Sequence, residues 1–263
     1  MTSNFPRLIN LSLPKTGSTT IGQVFAPVGG VHEGLHDLTV SFILDYREGL
    51  ISRQQLLTLL TRRQRKIKAE IDSSTFLHLI APELYEFLPE STLYIQILRE
   101  PATWVESYLN MLVGVGEQLT GSPVHADLAW TSRYGKYHSS TLEPLTLYYM
   151  YTNKEYVAPI VSDLLLFWQR SVTAVQEAIP PNQLLCSSLD HLAISIPALA
   201  EHINVPLDRL NLKASVSNVG SKNPRVRDVI SRHVSDAINT YSDLYASTSK
   251  IYNRITRYSD TNI

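Results

Sequence analysis

Short apolar runs alternate along this chain with longer stretches in which apolar residues recur every three or four positions. Leu8 to Leu13 is mostly apolar and is closed by Pro14. It reads as a buried strand, because proline cannot donate to a ladder. Leu93 to Leu98 is a second strand, carrying the β-formers Tyr94, Ile95 and Ile97, and Gln183 to Ser187 is a third. Thr19 to Phe25 is expected as a short helix ended by Pro27, Gly29 and Gly30. Leu50 to Ile71 reads as a longer one, with Leu56, Leu57, Leu59, Leu60 and Ile67 on one side and a solvated basic face of Arg62, Arg63, Arg65, Lys66 and Lys68. Further helices are expected over Ser74 to Leu88, Pro101 to about Val113, Ile160 to Ile179, Ile196 to Ile203 with Pro197 at its start, Val226 to Tyr245 and Thr248 to Tyr258.

This alternation predicts an α/β fold: a parallel sheet flanked by helices on both faces. No repeat and no low-complexity linker interrupts it, so one domain over residues 1–263 is expected, with a helical or irregular insertion around 114–160. Gly114 to Thr141 holds four glycines, Pro123, His125 and His138 among serines and aromatics. A loop of that length in a compact domain is usually a lid or a disordered segment.

Composition narrows the chemistry. The chain is 44% hydrophobic and 18% charged, with a net charge of -1, so overall charge points to neither nucleic acid nor an anionic membrane surface. Any anion site must be a local cluster. The one cysteine, Cys186, falls in the third apolar run and reads as a packed thiol; it excludes an intrachain disulfide and a cysteine zinc site. No signal peptide and no apolar stretch of spanning length is present, so a cytoplasmic protein without a membrane span is expected. The histidines lack metal-ligand spacing, and no metal is expected.

Two segments carry candidate chemistry. The first is Leu13-Pro14-Lys15-Thr16-Gly17-Ser18-Thr19-Thr20, a small-residue loop between a strand and a helix. Helix-initial amides face outward there, Gly17 permits close backbone approach, Lys15 adds charge, and Ser18, Thr19 and Thr20 add hydroxyls. A Walker loop, G-x-x-x-x-G-K-(S/T), places its lysine late; here lysine comes directly after proline and the second glycine is missing. The second segment is Arg99-Glu100-Pro101, with Ser107 eight residues after Arg99 and Tyr108 next to it. Arginine at the carboxyl end of a strand reaches the crevice where α/β sheets bind ligands, and its planar fork suits phosphate.

Taken together these segments resemble the PAPS-dependent sulfotransferases (PAPS is 3′-phosphoadenosine 5′-phosphosulfate). Their 5′-phosphosulfate loop reads P-K-(S/T)-G-(S/T)-(S/T), and their 3′-phosphate site reads R-x-P-x-x-x-x-x-S-Y. The resemblance runs from Leu8 to about Lys222. It implies a P-loop nucleotide-kinase-like architecture, with PAPS as sulfuryl donor and PAP (3′,5′-ADP) as product. Lys15, Thr16, Gly17, Ser18, Thr19, Thr20, Arg99 and Ser107 would hold the nucleotide. The family often has a loop closing over the nucleotide where this chain has Ser217 to Lys222, without the R-K-G of the cytosolic branch. Lys222 and Asn218 are therefore either cofactor contacts or part of a plain polar turn.

Transfer needs a base for the acceptor, a small molecule or carbohydrate bearing a hydroxyl or amine. The candidates lie in Gly30 to Asp37. Resembling members carry a glutamate or a His-Glu pair in this region, which implies Glu33 as base, with His32 orienting it or replacing it. Glu33 would need a raised pKa, which burial can give. Together with Lys15, which offsets charge on the leaving phosphate, these residues form the expected catalytic set. His78, 21 residues before Arg99, is the rival base, but falls inside an expected helix. Asp72 and Ser73, which can end a short strand, either line the acceptor pocket or cap a helix. Two alternatives stay open: an atypical P-loop kinase of nucleotides or small molecules, and a nucleotide-binding protein without catalysis. Acceptor identity and oligomeric state are open.

Overall fold

A computed structural model describes residues 5–120, 157–216 and 224–259. It shows an α/β protein built on a five-stranded, all-parallel sheet of order β2-β3-β1-β4-β5. The strands are β1 (Leu8–Asn10), β2 (Gly30–His32), β3 (Ile71–Ser73), β4 (Leu93–Leu98) and β5 (Leu184–Ser188). The helices are α1 (Ser18–Val24), α2 (His36–Arg47), α3 (Arg53–Ile67), α4 (Ala81–Phe87), α5 (Pro101–Thr120), α6 (Val157–Ala178), α7 (Leu192–His202), α8 (Pro224–Thr240) and α9 (Ser242–Ser259). Among the described residues no helix is long and apolar enough to cross a membrane.

The chain forms two compact units. The first comprises Met1–Leu98, Ser171–Asn218 and Ile255–Ile263, and holds the sheet. β1 pairs with β4 from Leu8↔Leu93 to Asn10↔Ile95, and β4 with β5 from Tyr94↔Leu184 to Leu98↔Ser188. Side chains alternate across a strand. Ile95 and Ile97 accordingly pack in a core with Ile21, Val24 and Phe25 of α1 and Ile196, Leu199 and Ala200 of α7. Tyr94 and Gln96 point to the other face: the Tyr94 hydroxyl donates to the Leu84 carbonyl of α4 at 3.4 Å, and Gln176 of α6 donates to Gln96 at 2.6 Å. Helices on both faces explain why β4 is buried from Tyr94 to Leu98.

The second unit comprises Arg99–Arg170 and Val219–Arg254, and its described residues are mainly helical. Its core is aromatic: Trp104 stacks on Tyr108 with ring centroids 5.3 Å apart and on Phe167 at 6.2 Å, and Trp104, Tyr108 and Trp168 are fully buried. α5 opens with Pro101, whose missing N–H costs nothing there. Glu100 caps it, accepting from the Ala102 amide at 3.1 Å and the Thr103 amide at 2.8 Å.

Several boundaries depart from the sequence reading. The helix expected over Leu50 to Ile71 ends at Ile67, because Lys68 turns left-handed at φ 51° and the chain enters β3. The helix expected over Ser74 to Leu88 is a 3-10 turn, Leu77–Ile80, followed by α4; Phe76 at φ 71° blocks helix through the segment. Pro197 lies inside α7 rather than at its start, since that helix begins at Leu192. α5 carries helix into the expected irregular stretch as far as Thr120.

Candidate functional site

The strand order decides where to look. From β1 the chain crosses to β2 on one side of the sheet, whereas β4 and β5 lie on the other. The connection therefore reverses between β1 and β4, and the carboxyl ends of strands at such a reversal are where open α/β sheets bind ligands. The segment Leu11 to Gly17 leaves β1 there, and Arg99 is the residue directly after Leu98, the last of β4.

Backbone strain marks the same edge. Non-glycine residues with left-handed φ include Lys15 (66°) after β1, Glu33 (56°) and Leu35 (53°) after β2, and Phe76 (71°) after β3. Each costs on the order of 1–3 kcal/mol, persists only where surroundings dictate it, and such strain gathers at functional sites.

A buried polar network fixes the β1 loop. The Ser12 amide donates to the Asn10 side chain at 3.0 Å, and the Ser12 hydroxyl accepts from the Ile97 amide of β4 at 2.7 Å. Asn10 Nδ2 donates to Ser73 Oγ at 2.9 Å, and Ser73 Oγ in turn donates to the Ser18 carbonyl at 2.6 Å. Asn10, Ser12 and Ser73 therefore tie β1, β3 and β4 to the loop, a positioning role that the sequence reading did not give to Asn10 or Ser12. Their one sequence signal is polarity inside runs that otherwise read as core.

Within the loop the side chains divide. Thr16 is fully buried and its hydroxyl donates to the Leu13 carbonyl at 2.6 Å, closing the turn. Ser18 and Thr20 are also buried. Gly17 is left-handed at φ 102°, and a Cβ there would lie 3.0 Å from both Leu189 and Leu192. Lys15 and Thr19 are half-buried and so remain partly open to solvent. Lys15 brings an ammonium to the loop, and the Thr19 hydroxyl is bonded to His32 Nε2. In the second unit Arg99 and Ser107 are likewise half-buried.

His32, at the end of β2, is wedged against this loop. Its Nδ1 lies 2.9 Å from the Ser73 carbonyl, which can only accept, so Nδ1 carries a proton. Its Nε2 lies 3.0 Å from Thr19 Oγ1. Gly22 makes the close approach of α1 possible: a Cβ there would sit 2.4 Å from His32 Cβ.

Glu33 has other partners. Its Oε1 accepts from the Thr75 amide at 3.1 Å and the Thr75 hydroxyl at 2.5 Å, while its Oε2 pairs with His36 Nδ1. Burial pushes its carboxyl up, but the hydrogen bond and charge of His36, the Thr75 hydroxyl and the charge of His32 outweigh burial, and the net shift is downward. This corrects the expectation of a raised Glu33. Nor is His32 its orienting partner: the imidazole is bonded to Thr19 and Ser73, and the histidine that holds Glu33 is His36. Burial pushes the His36 imidazole down, but the bond and charge of Glu33 and the charge of Asp37 bring it above its ordinary value.

Asp72 and Ser73 are on β3 and buried, not at a helix cap. Asp72 accepts from both terminal guanidinium nitrogens of Arg63 on α3, Nη2 lying 3.1 Å from Oδ1; Arg63 also donates to Thr39 and Ser74, each at 2.7 Å. His78 is buried in the 3-10 turn, its ring 6.3 Å from that of Phe76. Cys186 lies on β5 near Gln176, and burial pushes its thiol up to about 11, which suits an unreactive packed thiol. Lys222, Asn218, His125 and His138 lie outside the described residues.

An open cavity of about 860 Å³ lies at the opposite edge, lined by Arg7, Glu70, Leu93 and Ile203 near the amino ends of β1, β3 and β4. There Arg7 pairs with Glu70 at 3.0 Å and donates to the Ile203 carbonyl at 2.8 Å, an arrangement that secures strand starts. No protein-family model matches the chain, and no curated protein does.

Proposed function

We propose that this protein is a sulfotransferase that moves the sulfuryl group of PAPS onto a hydroxyl or amine of a small-molecule or carbohydrate acceptor. The observation that carries the reading is the reversal of strand connection between β1 and β4: the P-K-T-G-S-T-T segment leaves one strand and Arg99 follows directly on the other. In this reading Lys15, with the loop from Thr16 to Thr20, takes the 5′-phosphosulfate, and Arg99 and Ser107 take the 3′-phosphate.

The chemistry asked of these residues is modest. The acceptor oxygen attacks sulfur, the bond from sulfur to the 5′-phosphate oxygen breaks, and the electron pair departs with PAP. Lys15 offsets the charge that grows on that phosphate, so positioning and electrostatics supply most of the catalysis. A kinase reading is weaker. Asp72, at the end of a central strand where a magnesium-binding carboxylate would be sought, is bound on both oxygens by Arg63.

The test is a thermal-shift titration with 3′,5′-ADP against ADP, since a ligand that binds the folded chain raises its stability with the excess over Kd. A larger shift with 3′,5′-ADP that vanishes in Arg99→Ala is expected. Equal shifts, or a preference untouched by Arg99→Ala, would sink the donor assignment.

A further inference from the structure

We propose that Tyr245 is a positioning residue for the 3′-phosphate of the donor, and that it acts through Glu100 on the Arg99–Ser107 pair. The inference rests on the sulfotransferase reading above and adds a group that the R-x-P-x-x-x-x-x-S-Y pattern does not contain.

Arg99, Glu100, Ser107 and Tyr245 all belong to the second unit. Arg99 comes before α5 and Ser107 lies within it, so the two meet on one anion only if the chain enters the helix at a fixed angle. Glu100, between Arg99 and the helix, sets that angle. Its carbonyl accepts from the Trp104 amide at 2.8 Å. Its Oε2 accepts from the Thr103 amide at 2.8 Å and the Thr103 hydroxyl at 2.7 Å, and its Oε1 from the Ala102 amide at 3.1 Å. Those bonds are local, and another capping residue could supply them. The bond from Tyr245 is not: this residue of α9, 145 positions along the chain, donates its hydroxyl to Oε1 at 2.8 Å.

The side of α5 that Glu100 grips also carries Ser107. Thr103 and Ser107 are four residues apart, one turn above the other on a common face. Holding Thr103 from one side and Tyr245 from the other therefore fixes where Ser107 points relative to Arg99. In this reading a carboxylate next to Arg99 would repel the 3′-phosphate, so its presence needs a reason. A serine cap would start α5 without that charge. Glutamate holds Thr103 on one oxygen and Tyr245 on the other, and the amides and hydroxyls that meet it offset its charge.

The experiment measures Kd for 3′,5′-ADP and for ADP by isothermal titration calorimetry, and the ratio of the two is the readout. Tyr245→Phe keeps the ring and deletes the bond. It should lower the preference for 3′,5′-ADP by about 3–10-fold and leave ADP affinity unchanged. Glu100→Asp keeps the charge and a good cap but shortens the reach to Tyr245, so the same loss is expected. The double variant should lose no more than either single one, because both delete one bond. The ³¹P resonance of the bound 3′-phosphate should move in Tyr245→Phe, and that of the 5′-phosphate should stay. An unchanged ratio in Tyr245→Phe, equal weakening of both nucleotides, losses that add in the double variant, or a 3′-phosphate resonance that does not move each overturns this inference and leaves the donor site standing. A wild type without a preference for 3′,5′-ADP, or with one that survives Arg99→Ala, overturns the sulfotransferase reading and this inference with it.

Discussion

The His32 imidazole and the Thr19 hydroxyl meet at 3.0 Å, joining the end of β2 to the loop that follows β1. With Nδ1 donating to Ser73, the neutral ring accepts the Thr19 proton on Nε2, so one side chain bridges α1, β2 and β3. His32→Ala leaves the Ser73 carbonyl and the Thr19 hydroxyl to find other partners in a half-buried place. A loss of about 1–3 kcal/mol is expected from urea unfolding midpoints. Wild-type stability in this variant would show that water replaces both bonds without cost.

Arg63 and Asp72 make the most enclosed ion pair of the described residues, at 2% and 1% side-chain exposure. Breaking it strands a charge. Arg63→Met should destabilise by about 3–5 kcal/mol, and the double variant Arg63→Met, Asp72→Leu by clearly less, because the cost lies in the unpaired carboxylate more than in the lost attraction. Because β3 ends at Ser73 and leads directly into Ser74 and Thr75, the single variant should also loosen the hold on His32 and Glu33. Amide exchange at Thr75 reads this: faster exchange is expected in Arg63→Met, and unchanged exchange would place the pair's effect elsewhere.

How far these relationships could be read from sequence depends on their range. β1, β4 and β5 stand out because they are buried on both faces or against a helix and hence apolar. β2, reading GVH, does not, and β3, reading IDS, shows only as a short strand ending at Asp72 and Ser73. Their polar residues serve the site instead of the core. α2 was not anticipated, and the break at Phe76 was missed because no glycine or proline marks it. The Lys15 loop and the Arg99 to Tyr108 segment were visible as local motifs. The Glu33–Thr75 clamp spans 42 residues of chain, and the choice of His36 over His32 as partner of Glu33 is made by the left-handed turn at Glu33 and Leu35, which sequence spacing does not reveal. The one trace available was the hydroxyl run Ser73-Ser74-Thr75, polar where a helix had been expected to begin.

Glu100 gives the second unit an acid-sensitive helix cap. Burial pushes its carboxyl up, but the Thr103 amide and hydroxyl, the Tyr245 hydroxyl at 2.8 Å and the Ala102 amide bring it below its ordinary value. A carboxyl with a lowered folded-state pKa adds stability that is fully present above its unfolded value and is lost as pH falls through the folded one. Stability of the wild type should therefore decline below the ordinary carboxylate range of about pH 4.3. Glu100→Gln removes the charge but can keep part of the cap, and should cost about 0.5–2 kcal/mol at neutral pH while making the acid decline shallower. Tyr245→Phe deletes one of the bonds and should fall between the two. Near-ultraviolet circular dichroism, which reports the Trp104–Tyr108–Phe167 stack of the same unit, follows the transition. An acid slope that is identical in wild type and Glu100→Gln would mean that other carboxylates govern it, and that the α5 cap is held by its amides regardless of charge.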